Sequence, residues 1–158
     1  MNNARERLNT LLRSLGEKIK LGDLALDDQG DISLAIDGET YTLQYFKGGE
    51  AYIVHRLGLL PAEAEMRAAV SAWLLERNCF FRGTGPGVLG VNPMEGGEDA
   101  IFYCVRLPLY KLEYAGFEAF LLAAANLTAR LRRELAELLG RTKTSPTERE
   151  AANHFLRV

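Results

Sequence analysis

The sequence predicts an α+β fold in which a twisted antiparallel sheet packs against helices in the order α-β-β-β-α-β-β-α. Two observations carry this expectation. Short runs with period-two alternation are separated by glycine turns of hairpin length, as strands of an antiparallel sheet require. Those runs are interrupted by single, longer segments of helical period, a layout that places helices beside one sheet rather than between parallel strands. At 158 residues the chain is one domain's worth and long enough to bury a core without staples.

Each element follows from its pattern. Ala4, Leu8, Leu11, Leu12, Leu15 and Ile19 recur at helical spacing and make one apolar stripe, which Gly16 weakens at its last turn. Asp23 to Asp27 alternates as a short extra front strand would, and Asp28-Gln29-Gly30 turns the chain. Ile32, Leu34 and Ile36 alternate with Ser33 and Ala35, and Asp37-Gly38 is a strong two-residue hairpin signal. Tyr41 to Tyr45 and Ala51 to Leu57, divided by Gly48-Gly49, complete a meander. Pro61 opens a helix to about Asn78 with Met66, Val70, Trp73 and Leu74 on one side. Gly83-Thr84-Gly85-Pro86-Gly87 reverses the chain into two strands, Val88 to Val91 and Ala100 to Leu107, joined through Glu95-Gly96-Gly97. The last long helix, Glu113 to Leu139, turns Phe117, Phe120, Leu121, Leu127, Leu131, Leu135 and Leu138 inward. Residues 1–140 are thus expected to form the domain. Residues 141–158 read as a polar linker and a short helix, with Ser145 as its cap, Pro146 at its first position and Glu148 closing a capping box.

Composition excludes several classes of function. Hydrophobic residues at 47% and charged residues at 25% are ordinary for a soluble globular protein. A net charge of −2 offers no overall basic surface for nucleic acid, and the cluster Arg130, Arg132 and Arg133 reads as a solvated helix face. The N-terminus has no apolar signal region, and Phe117 to Leu127, interrupted by Glu118 and Asn126, is far too short to span a bilayer. Cys79 and Cys104 form no CxxC pair, which fits a reducing compartment and a soluble protein without membrane partners.

A search for reactive chemistry yields little. His55 and His154 are the only histidines, and neither has a second ligand at metal spacing. A thiol enzyme pairing Cys104 or Cys79 with His55 would depend on the fold bringing them together. Asp27, Asp28, Asp31, Asp37, Glu63 and Glu65 are explained by turns and helix faces. The glycine-rich turn runs helix, loop, strand and has no lysine, the reverse of a phosphate loop. No catalytic residue, metal or cofactor is expected.

Surplus hydrophobic surface is more informative. Ile101, Tyr103 and Val105 point to one face of their strand and Phe102 and Cys104 to the other, and Tyr52-Ile53-Val54 is equally two-sided. One helical layer covers one face; the other invites a second subunit or a bound peptide. Alternation nominates Leu24, Leu26, Ile32, Leu43, Ile53 and Ile101, although a core position and a groove position look identical in sequence.

Two stretches resemble the class I chaperones of type III secretion, the Tir chaperone family. One runs from Leu11-Leu12-Arg13-Ser14-Leu15-Gly16 through Leu24-Ala25-Leu26-Asp27 and Gly30 to Leu34-Ala35-Ile36-Asp37. The other has Leu74-Leu75 and Asn78, the glycine-rich turn, Val88-Leu89-Gly90-Val91, then Arg106-Leu107-Pro108-Leu109. The resemblance covers most of Leu8 to Leu139. It implies a non-enzymatic, ATP-independent chaperone in the cytoplasm of a Gram-negative bacterium, without nucleic-acid partners. It implies a homodimer through the middle helix, with Met66, Val70, Trp73 and Leu74 at the contact. It also implies that a secreted effector's N-terminal segment binds in extended form by strand addition and by apolar patches. Leu12, Leu24, Leu26, Ile32, Leu43, Ile53 and Ile101 are the groove residues so expected. Further candidate partners are a small regulatory protein and the secretion ATPase. The ending Arg149-Glu150-Ala151-Ala152 to Leu156-Arg157-Val158 is similar to that of a regulatory relative, which suggests an alternative: coupling secretion to transcription by sequestering a small anti-activator protein.

Overall fold

The computed structural model describes residues 3–142, so the tail from Thr144 to Val158 lies outside the described residues. Helix α1 spans Asn3–Ile19 and buries Ala4, Leu8, Leu11, Leu12 and Leu15, whereas Ile19 is 46% exposed because the stripe runs past the core at its last turn. Gly16 is a close-approach position: a Cβ there would lie 2.1 Å from the Gly22 carbonyl oxygen, where the chain folds back over the helix. No strand forms over residues 23–27 despite their alternation. Competing hydrogen bonds are the physical reason: the Leu26 N–H donates to Asn9 Oδ1 on α1 (3.0 Å), and the Asp27 carboxylate collects the N–H groups of Gln29, Gly30 and Asp31, each at 2.9 Å.

Five strands follow: β1 (Asp31–Ile36), β2 (Glu39–Phe46), β3 (Glu50–Leu59), β4 (Val88–Pro93) and β5 (Asp99–Leu107). They form one antiparallel sheet in the order β1-β2-β3-β5-β4. Asp37 and Gly38 both take positive φ (53° and 81°), the backbone of the two-residue hairpin expected there. Helix α2 (Ala64–Asn78) bridges β3 and β4, and Glu63 rather than Pro61 caps it, accepting from the N–H groups of Glu65 and Met66. Gly87 is fixed by packing, since a Cβ would lie 2.4 Å from the Tyr103 ring. Helix α3 runs from Tyr114 to Thr142.

The helices cover one sheet face. Tyr41, Leu43, Ala51, Ile53, His55, Tyr103, Val105 and Leu107 from the strands meet Leu8, Leu12, Phe117, Leu121 and Leu131, and all of these are buried. Each fully buried leucine-sized side chain contributes about 1.5–3 kcal/mol. The Tyr41 hydroxyl donates to Thr128 Oγ1 (2.7 Å), and Thr128 in turn donates to the Ala124 carbonyl (2.9 Å), so both of these buried hydroxyls are paired. Among the described residues no helix covers the opposite face, and there Tyr52, Val54, Phe102 and Cys104 are half-buried.

Candidate partner-binding surface

Among the described residues β1 ends the sheet, with β2 as its one neighbour. The Tyr45 N–H donates to the Gly30 carbonyl (2.8 Å), so by antiparallel alternation Asp31, Ser33 and Ala35 point their backbone groups away from β2. Asp31 is already satisfied: its N–H reaches the Asp27 carboxylate and its carbonyl accepts from the Asp27 N–H (2.9 Å). Ser33 and Ala35 have no backbone partner among the described residues. Two N–H groups and two carbonyls therefore stand open to an incoming strand.

Beside this edge lies a groove of about 400 Å³. Its walls are the end of α1 (Leu15, Ile19), the connection after it (Leu21, Leu24), residues 33–37, and Glu118, Leu121 and Leu122 of α3. Ile19, Leu21 and Leu122 are exposed at 46%, 69% and 52%, which is apolar surface concentrated in one concavity. Lys18 and Glu118 pair across the helices at 2.6 Å, and Glu118 lines the groove. This bond to Glu118 raises the Lys18 pKa.

The nominated residues separate into two sets. Leu24 and Ile32 are half-buried, and Leu24 lines the groove. Leu12, Leu26, Leu43, Ile53 and Ile101 are closed inside the core, and none of them lines the groove. Met66 is half-buried, and Val70, Trp73 and Leu74 are buried within the single chain against α3 and β4. The apolar side chains this region leaves exposed are Leu75 (73%), Phe80 (83%) and Phe81 (59%). Phe80 and Phe81 both hold positive φ, 51° and 56°, which is strained backbone for aromatic residues. Sequence reasoning passed over Leu21 and Leu122. Leu122 carried a signal, since it falls off the period that buries Phe117, Leu121, Thr128, Leu131 and Leu135.

The thiol pairing fails on geometry for Cys104. Cys104 faces Val54 across β3, and His55 is the next residue, so the thiol and the imidazole project from opposite sheet faces. Burial pushes the Cys104 thiol pKa up, away from a reactive thiolate. Cys79 is exposed just beyond α2. No cluster of metal-ligating side chains exists among the described residues, and no described helix is long and apolar enough to cross a membrane.

The site is thus an open sheet backed by helices on one face, with a bare edge beside an apolar groove. The chain belongs to the Tir chaperone protein (CesT) family, whose model matches residues 10–132. Solved structures of the same fold include that of the ExsC–ExsE complex, with 20% identity, 83% of this chain and 95% of that chain covered, and a TM-score of 0.67. The HopA1–SchA chaperone–effector complex follows with 17% identity, 87% and 98% coverage, and a TM-score of 0.60. The Yersinia pestis chaperone SycH, solved with a stable fragment of YscM2, shares 15% identity over 78% of this chain and 98% of that chain, with a TM-score of 0.52. Among curated proteins none matches the sequence significantly.

Proposed function

We propose that the protein is an ATP-independent chaperone of a secreted effector, holding the effector's N-terminal segment in extended form, soluble and competent for export. The observation that carries this reading is the pair of open outward positions on β1, Ser33 and Ala35, beside the groove of Leu21, Leu24 and Leu122. Backbone bonds to the edge supply affinity for any extended chain, and the groove selects apolar side chains at alternate positions. Family membership supports the same reading. The protein acts as a cytoplasmic homodimer in a Gram-negative bacterium, the subunits meeting through the α2 region, where Leu75, Phe80 and Phe81 add exposed apolar surface. The two-fold axis then presents the groove twice.

The test is capture of the tagged chain from native cytoplasm under secretion-repressing conditions, with hydrogen exchange to map the protected segment. The expected result is a larger protein held through its N-terminal region in a two-to-one complex, lost on Leu122→Asp. Recovery of only a small regulatory protein would instead favour the second reading, sequestration of an anti-activator, which the tail's similarity to a regulatory relative motivates. A monomeric chain without either partner overturns both.

A further inference from the structure

The apolar groove does not stop at the β1–β2 hairpin. Ile36 and Asp37 line it and also line a second cleft of about 340 Å³, which continues along α3 past Ala125, Asn126 and Ala129 to Arg132 and Arg133. The floor of this second cleft holds Tyr41 and His55. His55 is 2% exposed and stacks on Tyr41, with centroids 4.4 Å apart. Its Nδ1 lies 2.9 Å from the Thr40 carbonyl oxygen, while its Nε2 is buried without a hydrogen-bond partner among the described residues. A carbonyl can only accept, so Nδ1 carries the proton and Nε2 of the neutral ring presents a lone pair. Burial lowers the His55 pKa, in keeping with a neutral ring. An unmatched buried acceptor destabilises its surroundings unless a donor reaches it.

We propose that this cleft is a second, polar subsite of the same groove, in which His55 Nε2 accepts a hydrogen bond from a hydroxyl or side-chain amide of the bound polypeptide. The inference rests on the chaperone reading above and gives it a sequence preference. From Glu118 to Arg133 the helix wall measures roughly 22 Å, enough for about seven extended residues. From Leu122 to Ala129 it measures roughly 10 Å, which sets the donor about three residues beyond the last apolar anchor. Glu39 is engaged by Arg132, while Arg133 has no ion-pair partner among the described residues and stands at the exit of the cleft.

The test uses a phage-displayed library of random peptides selected on the full chain and on two variants. His55→Phe removes the acceptor. Ala129→Trp blocks the cleft from an exposed position on α3, so it leaves the core intact even where His55→Phe weakens folding. The wild type is expected to select apolar residues at alternate positions followed, about three residues on, by Ser, Thr, Tyr, Asn or Gln. Both variants should lose that downstream enrichment at least fivefold and keep the apolar anchors. Anchored peptides with no donor preference, or a preference that survives both variants, would overturn the polar subsite and leave the chaperone reading standing. Failure to select any peptide sensitive to Leu122→Asp would bring down both.

Discussion

The two edges of the sheet are built to opposite ends. β4 is defended: Pro93 ends it, Gly90 thins it, and the Asn78 side chain clasps the outward backbone groups of Leu89, donating to its carbonyl and accepting from its N–H, both at 2.8 Å. An amide so placed mimics the next strand's backbone and occupies Leu89, leaving Val91 as the outward position of β4 with both backbone groups unpartnered among the described residues. β1 has no proline, no glycine and no clasp beyond Asp31, and a groove of aliphatic side chains runs beside it. β4 is thus guarded at the rung its clasp covers, whereas β1 keeps two successive outward positions, Ser33 and Ala35, open beside that groove. The two faces of the sheet repeat the contrast, one closed by helices and the other half-covered.

Breaking the β1 edge from within should have the largest effect. Leu34 anchors β1 in the core at 7% exposure, and Leu34→Ala is expected to cost about 2–5 kcal/mol in chemical denaturation. Next comes the clasp: Asn78→Ala leaves the Leu89 groups unpaired, for a loss of about 1–3 kcal/mol. Light scattering should then detect self-association through β4, and its absence would mean the clasp is not what protects that edge. Sharper, though smaller in stability, is Ser33→Pro. The Ser33 N–H points outward, so the substitution should shift stability by less than about 1 kcal/mol while strand addition to β1 is lost. A titration of a bound effector segment that is unchanged by Ser33→Pro would sink strand addition as the binding mode. The smallest effect concerns acid. Backbone donation, from Asp31 first, holds the Asp27 pKa below its ordinary 3.8. Its contribution is therefore full above that value and is lost as pH falls through the lowered one. Asp27→Asn should flatten this dependence in acid titrations of hydrogen exchange along β1.

Much of the fold was legible because its signals are local. Asp37-Gly38 and Glu95-Gly96-Gly97 are turns by backbone chemistry alone, and the α3 stripe of Phe117, Leu121, Leu131 and Leu135 is period alone. The front strand expected over residues 23–27 failed for a partly non-local reason. Asp23 to Asp27 alternates as a strand does, but Asn9, one helix earlier, takes the Leu26 N–H, and the Asp27 side chain takes the N–H groups that follow. Site residues were harder for a related reason. Alternation says which way Leu43, Ile53 and Ile101 point, not that α1 and α3 cover that side. Trp73 on an apolar helix face fits a subunit contact and an internal core equally, and here the chain buries it alone. Asn78 belonged to a recognised motif, yet its bond to Leu89 depends on where β4 falls in space.

The turn at Asp27 also sets a reading frame. By occupying the outward groups of Asp31, it bars an incoming strand from the first rung, so the earliest rung left is Ser33. On the chaperone reading, a bound segment that slid by one residue would turn its apolar side chains away from Leu24 and Leu122 toward water. A single carboxylate at the margin of the sheet would thus help decide which letters of a client sequence are read and which are passed over.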